Sequence, residues 1–335
     1  MLTLFVATTQ MTHSVEIRSS VNGIRREQYA PVLVTVYNRL DHFRKCVESL
    51  SDCYGAGSTT LFVAIDAPSR DCDVDLNRKI VDYAKGIRGF ESVVLIEREA
   101  NVGAVRNYFM ALDRVFQDHS AVIFTEDDNV FSRHFLEYVN KGLTLYENVP
   151  SIYGICGYAR PGLAKDDEIP DVFLSRDCPA WGVGIWRSKF REVDFHTKDF
   201  FATFLSPMRI LAFRRQWGDH FFWSLVRAKR ENVVICDAAV GFHKFQRDMY
   251  SILPTKTLVR NIGQDGSGIH SGINEVLQNQ EMQDGEKKVS FPEVLIFPNS
   301  IDDARSKQLQ FTVRGNIKCI VQFYLLALKR MVMRG

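Results

Sequence analysis

The sequence predicts an α/β protein with a mostly parallel central sheet and helices on both faces of that sheet. Short apolar runs rich in β-branched residues alternate with segments in which apolar residues recur at helical spacing. The runs expected to form strands are 31–37, 60–65, 92–97 and 121–125. Strands that alternate with helices typically form parallel sheets, because each connecting helix packs back against the sheet.

Helices are predicted between these strands from apolar residues three and four positions apart. One set follows Asp41, which is predicted to be an N-cap: Phe43, Val47 and Leu50. A second set follows the third strand: Val105, Phe109, Leu112 and Phe116. Ser132 is predicted to cap a helix from 133 to 147, and residues 293–297 are predicted to form a late strand.

Composition limits the class of protein. The 335 residues allow one large domain or two smaller ones, and a content of 46% hydrophobic and 24% charged residues is typical of a globular chain. Forty-two basic residues against 40 acidic ones give a net charge of +2, so no nucleic-acid partner is expected. The seven cysteines include no Cys-x-x-Cys pair, which favours reduced thiols in a cytoplasmic protein over a zinc site.

The two ends of the chain differ in character. The start, "MLTLFVATTQM", lacks the basic flank of a secretory signal, and no stretch reaches the ~18 apolar residues of a membrane-spanning helix. Residues 316–334 are predicted to form a basic amphipathic helix with one apolar face: Ile320, Phe323, Tyr324, Ala327 and Met331. This helix is expected either to contact an anionic membrane or to cover apolar surface of the protein itself.

Three consecutive carboxylates end the fourth predicted strand, in "VIFTEDDNVF": Glu126, Asp127 and Asp128. Polar residues also follow the other strands: Asn38, Asp66 and Asn101. Ligands of parallel sheets bind beyond the carboxyl ends of the strands, so these side chains are expected to lie together. A divalent cation such as Mn²⁺ or Mg²⁺ would neutralise the crowded carboxylates. The alternative is that they begin an exposed loop or cap the next helix.

Six segments in this order resemble glycosyltransferases of the GT-A fold, above all the N-acetylglucosaminyltransferase I type and its bacterial relatives, which share the Glu-Asp-Asp motif. The segments are "VTVYNRLDHFRKCVESL" (34–50), "VAIDAPS" (63–69), "NVGAVRN" (101–107), "FTEDD" (124–128), "PAWGVGIWRSKF" (179–190) and "NIGQDGSGIH" (261–270). The resemblance implies a Rossmann-like GT-A domain over 29–285, with a nucleotide-sugar half (29–150) and an acceptor half (151–285). Extensions are expected at 1–28 and 286–335.

The resemblance also implies roles for residues of the nucleotide-sugar half. Asp128 is expected to bind the metal, with Asp127 and Glu126 closer to the ribose and the donor sugar. Asp66 is expected to accept a hydrogen bond from the base of the donor, although an aspartate before Pro68 also suits a turn. Arg106 offers a cationic fork for the diphosphate or ribose, the alternative being a solvated helix face. The nucleotide pocket would further include Val36, Asn38, Arg39 and Asn101.

In the acceptor half, the resemblance implies that Trp181 and Gly182 floor the active site, whereas Trp186 is expected in the core. His270 would reach the metal or the diphosphate, the alternative being a surface histidine. Asp219 is expected to be the catalytic base, although an aspartate there also suits an N-cap. Asp237 and Asp265 are fallback candidates for the base. This chain has Val183 where a tryptophan is expected, which leaves the acceptor open.

The function expected from this resemblance is metal-dependent, inverting transfer of a sugar from a nucleotide-sugar, such as a UDP-N-acetylhexosamine, to a saccharide or glycolipid acceptor. A cytoplasmic location, at the inner face of a membrane, would suit surface polysaccharide synthesis. The chain contains neither a Gly-x-x-x-x-Gly-Lys nor a Gly-x-Gly-x-x-Gly phosphate loop. Two alternatives stay open: a nucleotidyltransferase, although "VYNRLDHF" lacks its Gly-rich loop, and an inactive sugar-binding or scaffold protein.

Overall fold

The computed structural model describes residues 16–18, 29–162, 170–266, 273–285, 287–298 and 313–332. The strands are β1 Glu16–Arg18, β2 Val32–Val36, β3 Thr60–Ile65, β4 Ser92–Glu97, β5 Ala121–Glu126, β6 Asn129–Phe131, β7 Ile152–Cys156, β8 Val172–Ser175, β9 Val183–Trp186, β10 Tyr250–Pro254, β11 Val259–Asn261 and β12 Val294–Ile296. The helices are α1 Leu40–Ser51, α2 Val74–Lys85, α3 Ala104–Asp118, α4 Phe135–Leu145, α5 Arg187–Arg191, α6 Phe200–Phe204, α7 Pro207–Trp217, α8 Asp219–Glu231, α9 Cys236–Arg247, α10 Glu275–Gln278 and α11 Val313–Val332.

The predicted α/β class is confirmed by an eight-stranded central sheet in the order β4-β3-β2-β5-β9-β7-β10-β8. Strands β4, β3, β2 and β5 are parallel to one another, as expected for strands joined by helices. Strand β9 runs antiparallel to both β5 and β7, and β10 pairs with β7 in parallel. One continuous sheet therefore spans both predicted halves of the domain.

Alternating residues of the strands fill two cores, one on each face of the sheet. Strand β2 shows this directly, since Val32 and Val34 face one core while Leu33 faces the other. Helix α1 packs on the first face through Phe43, and α3 packs on the second through Leu112. Strands that are buried on both faces read as continuous apolar runs, which is why the sequence showed them clearly.

A third core lies within a bundle of helices that we call the helical lobe, formed by α6, α7, α8, α9 and α11. Its interior is largely aromatic, with Phe200, Phe204 and Phe222 packed against one another. Helix α11 packs against α8 and contributes the fully buried Phe323 to this core. The expectation that the terminal helix covers the protein's own apolar surface is thus met by this face of α11.

Three local details differ from the sequence-based expectations. Helix α4 begins at Phe135, and the hydroxyl of Ser132 donates to the main-chain oxygen of Gln283 instead of capping that helix. Asp41 lies in the first turn of α1, which begins at Leu40, and does not cap it. Val105 is exposed on α3 rather than facing the core. The two predicted caps each lie two residues from the observed N-caps, His134 and Arg39.

The segments outside the predicted domain contribute to its first core. Strand β1 pairs antiparallel with β12, so the chain before residue 28 meets the chain after residue 286. Ile17, Leu295 and Phe297 are buried in the core around β2 and α1. The predicted domain boundaries stay a prediction. None of the helices in the described ranges is both long and apolar enough to span a bilayer.

Candidate active site

The parallel strands end at a common edge, and this edge collects the polar residues that follow them. Val36 at the end of β2 is paired with Ile65 at the end of β3, and Thr35 is paired with Glu126 at the end of β5. The main-chain N–H of Asp66 donates to the oxygen of Val36. The predicted clustering at the carboxyl edge of the sheet is therefore present.

Arg39 is the cation that the carboxylate cluster contacts in this structure. Its Nη2 donates to Oδ1 of Asp127 and lies 3.0 Å from Oδ2 of Asp128. Both carboxylates are buried, and Arg39 is about four-fifths buried. A buried carboxylate is costly unless it is paired, so the guanidinium explains how the two acids fit at the end of a core strand. The sequence placed Arg39 in a nucleotide pocket and did not predict this contact.

Asn261 holds the other side of Asp128. Strand β11 pairs antiparallel with β6, which sets Asn261 opposite Asn129. Its Nδ2 donates to Oδ1 of Asp128 at 2.8 Å, and the main-chain N–H of Ile262 donates to the oxygen of Asp128 at 2.8 Å. A Cβ at Gly263 would lie 2.1 Å from Oδ2 of Asp128, so only glycine permits this close approach.

Two acids of the cluster, Glu126 and Asp127, have raised pKa values. Burial raises the pKa of Glu126 to about 7, and the charges of Asp128, Asp127 and Asp237 contribute to this rise. Burial also raises the pKa of Asp127 to about 6, although the nearby Arg39 opposes that effect. Arg39 pairs with two of the three carboxylates, Asp127 and Asp128, so the cluster keeps an excess of negative charge when all three are ionised.

The chemistry of these oxygen donors fits a hard divalent cation that takes most of its ligands from a bound diphosphate. Asp128 would supply the protein ligand through Oδ2, which lies 3.0 Å from Nη2 of Arg39. Within the described ranges, no three His, Cys, Asp or Glu side chains are grouped to hold a metal by themselves. His270, the second predicted ligand, lies outside the described residues.

Asp66 has a structural role that the sequence did not reveal. Its Oδ1 accepts from the main-chain N–H groups of Ala67 and Val102, both at 3.0 Å. Its Oδ2 accepts from the N–H of Gly103 at 2.9 Å and from Nδ2 of Asn101 at 3.3 Å. The buried carboxylate therefore shapes the loop before α3. These hydrogen bonds already occupy both carboxylate oxygens of Asp66. Contact between Asp66 and a nucleobase stays a prediction.

Of the other residues predicted to bind the nucleotide-sugar, Asn38 makes a structural contact and Arg106 lies on the surface. Asn38 donates to Oδ1 of Asp73 at 3.0 Å, and Asp73 also accepts from Arg70 and Tyr37. Arg106 is exposed in the first turn of α3, beside the loop that Asp66 shapes. Contact between Arg106 and a ligand stays a prediction.

Trp181 and Gly182 lie where β9 begins. Trp181 is half-buried and packs edge-to-face on Tyr158, with ring centroids 4.6 Å apart. Gly182 has a φ of +70°, and a Cβ there would lie 2.9 Å from Phe135 and from Val259. Trp186 is fully buried, and its Nε1 donates to the oxygen of Leu143 at 3.1 Å, so the expectation of a core residue is confirmed.

The three candidates for a base have different environments. Asp219 is buried in the helical lobe at the start of α8, where it accepts from Nε of Arg214 at 2.5 Å. The N-cap of α8 is Gly218, so the alternative of Asp219 as a cap does not hold. Asp265 contacts Nε2 of His42 at 3.2 Å.

Asp237 is the candidate whose charge acts on the cluster. It is exposed in the first turn of α9, and its charge is among those that raise the pKa of Glu126. Arg160 donates to Oδ2 of Asp177 at 2.8 Å, which raises the pKa of Arg160, and Asp237 adds to that rise. Arg160 and Asp177 thus form an ion pair within the acceptor half. Sequence reasoning missed this pair, because neither residue stands at a strand end of the nucleotide-sugar half.

Comparison with known proteins gives one family match and several distant structural similarities. The profile of the GNT-I family matches residues 6–175, half of the chain. The chain is similar to S. aureus TarS, with 12% identity over 50% of this chain and 30% of TarS, and a TM-score of 0.36. No curated protein matches the chain.

Two further structures were solved with ligands. The mannosyltransferase PcManGT from Pyrobaculum calidifontis, in complex with GDP-Man and Mn²⁺, has 13% identity and a TM-score of 0.39, with 68% of this chain and 72% of that chain covered. GalNAc-T7 with UDP, GalNAc and Mn²⁺ has 9% identity and a TM-score of 0.43, with 69% and 43% covered. The chain thus spans less than half the length of TarS and of GalNAc-T7.

Proposed function

The chain belongs to the GNT-I family of glycosyltransferases, as its sequence motifs predicted, and on that premise we propose that it transfers a sugar from a nucleotide-sugar to a hydroxyl acceptor with inversion. The observation that carries this proposal is the cluster of Glu126, Asp127 and Asp128 at the carboxyl edge of the sheet. Donors carrying a diphosphate suit the cluster once a cation bridges the negative charges.

We propose Mn²⁺ or Mg²⁺ as the cofactor and Asp128 as its ligand from the described chain. When bound, such a cation stabilises the charge that develops on a departing nucleoside diphosphate. Arg39 would release Oδ2 of Asp128 and turn its guanidinium to the incoming phosphates, a geometry that guanidinium groups favour. Asp127 and Glu126 then remain to accept hydrogen bonds from the ribose and the donor sugar.

The donor is proposed to be a UDP-sugar, such as a UDP-N-acetylhexosamine. The loop that Asp66 organises places Arg106 beside the strand ends, within the same half of the domain as the cluster. Arg106 is proposed to contact the diphosphate or the ribose. On the acceptor side, Trp181 presents a half-buried ring of the kind that packs on a sugar face.

The acceptor hydroxyl must lose its proton, and two carboxylates are proposed for that step. Asp219 is the choice that the family motif favours, but it is already paired with Arg214. Asp237 is exposed in the first turn of α9, and we propose it as the alternative base because its charge contributes to the raised pKa of Glu126. A single attacking hydroxyl activated in this way gives inversion.

A panel of nucleotide-sugars tests the proposed donor class. Thermal unfolding of the purified protein is measured with UDP-, GDP- and CMP-sugars, each with and without Mn²⁺. We expect a rise in Tm only with UDP-sugars and Mn²⁺ together, since a ligand that binds the native state stabilises it. Release of UDP on addition of an acceptor would then exclude an inactive binding protein. Equal stabilisation by all nucleotides in the absence of metal would contradict the proposal.

A further inference from the structure

The terminal helix α11 is fixed on the helical lobe by one of its faces. Cys319, Phe323 and Ala327 are buried there, at spacings of four residues. The ring of Phe323 lies 5.5 Å from that of Phe200 and 5.8 Å from that of Phe222. Residues four apart share one helix face, so this packing determines which residues point away from the lobe.

The residues that point away are also apolar. Val321 is 50% exposed, Leu325 60%, Leu328 54% and Tyr324 37%. Their spacing of three and four residues places them along one line on α11, which we call the outer stripe. Scattered exposed leucines are ordinary, but a contiguous apolar line on a surface helix marks a contact with another apolar phase.

Basic residues run beside the outer stripe. Lys318 and Lys329 are exposed and stand seven residues before and four residues after Leu325, so they lie along one edge of the stripe. From residue 304 to the end the sequence has seven Lys and Arg residues and no Asp or Glu. The rest of the chain has 35 basic and 40 acidic residues. Positive charge is therefore concentrated in the terminal segment of the sequence that contains α11.

We propose that the outer stripe docks on the surface of an anionic phospholipid bilayer, and that the sugar acceptor is a lipid-linked molecule held at that surface. An exposed apolar line edged by lysines matches acyl chains below anionic headgroups. A second copy of this chain fits less well, because stripe-to-stripe contact would bring the same lysines together. The acceptor class rests on the proposed glycosyl transfer, whereas the docking surface does not.

Flotation with liposomes tests the docking surface in the full-length protein. We expect the protein to float with vesicles of phosphatidylcholine and phosphatidylglycerol and not with phosphatidylcholine alone. Binding should weaken as salt is raised, because the headgroup attraction is screened. The double variant Leu325→Glu/Leu328→Glu should bind about 100-fold more weakly, since two apolar contacts are replaced by repelled charges. The matched variant Val74→Glu/Leu76→Glu, at exposed positions of α2, should float as the unaltered protein does.

Three results would overturn the proposal. Equal flotation with both lipid mixtures would remove the role of charge, and unchanged flotation of the stripe variant would remove the role of the stripe. A dimer in sedimentation analysis that the stripe variant converts to monomer, with no flotation of either protein, would make a second copy the occupant. Calorimetric binding of UDP with Mn²⁺ is measured on the same samples. If that binding fails while flotation persists, the proposed transfer fails and the docking surface stands.

Discussion

The nucleotide-sugar half and the helical lobe use buried acids in different ways. At the sheet edge, Arg39 pairs with Asp127 and Asp128, and burial raises the pKa of Glu126 to about 7 and that of Asp127 to about 6. In the lobe, Asp219 has Arg214 as its own partner. An acid with a dedicated cation is already satisfied, whereas a group of acids with too little positive charge is ready to bind more. The difference supports the cluster, rather than Asp219, as the proposed binding site.

The largest expected effect is a loss of stability when packing inside the helical lobe is removed. Phe323→Ala should destabilise the protein by about 3–5 kcal/mol, because it empties a buried ring position in the lobe. Thermal or urea unfolding measures the loss. Leu325→Ala, on the outer stripe of the same helix, is the matched control and should change stability by no more than about 0.5 kcal/mol.

The Phe323→Ala variant should bind UDP with Mn²⁺ about as tightly as the unaltered protein does, because the carboxylate cluster lies on the sheet and not in the lobe. The comparison is made at a temperature where the variant is folded. If nucleotide binding is lost in proportion to stability, the helical lobe and the carboxylate cluster are not independent of each other.

A second comparison concerns the base. Asp237→Asn should lower kcat by about 100-fold and leave donor affinity nearly unchanged, the usual scale for loss of a general base. Asp219→Asn should instead lower stability, because it leaves Arg214 without its charged partner. Steady-state kinetics with unfolding curves for both variants separates the roles. The reverse pattern would return the proton transfer to Asp219.

A further expected effect is on pH dependence. A raised pKa in the folded state means that protonation of Glu126 and Asp127 favours folding, so the stability that they contribute is present below about pH 4 and is lost as pH rises through 6 to 7. The metal-free protein should thus lose stability, on the order of a few kcal/mol, between pH 5 and pH 8. Glu126→Gln should flatten this slope.

The control for this slope is Glu91→Gln, at an exposed position before the amino end of β4, away from the carboxyl edge. Its melting curves should follow those of the unaltered protein at every pH. A slope that survives in the Glu126 variant would mean that other groups control the pH response.

Much of the nucleotide-sugar half could be predicted from sequence. Strands buried on both faces appear as apolar runs, and β2 to β5 lie within two residues of the predicted spans. The place of Glu126 follows from the position of a strand end alone. The partners of the cluster could not be predicted, because Arg39 and Asn261 reach Asp128 from positions 89 and 133 residues away in the chain. Such contacts depend on strand pairing that no local pattern contains.

The lobe was harder to predict for the same reason. The burial of Phe323 could be expected from spacing on a helix, but the pairing of Asp219 with Arg214 depends on how α7 meets α8. Tyr324 shows the limit of spacing arguments, since it was assigned to the apolar face and is partly exposed on the other side. A helix with apolar residues on two faces has no single face for a periodicity to reveal.

The central claim is that the carboxylate cluster binds a nucleoside diphosphate through a divalent cation. Calorimetric titration of UDP into the unaltered protein and into Asp128→Ala, each with and without Mn²⁺, tests it most directly. The account predicts binding by the unaltered protein only when Mn²⁺ is present, and no metal-dependent binding by the variant, because Asp128 is its proposed metal ligand. Metal-dependent UDP binding that survives unchanged in Asp128→Ala would contradict the account.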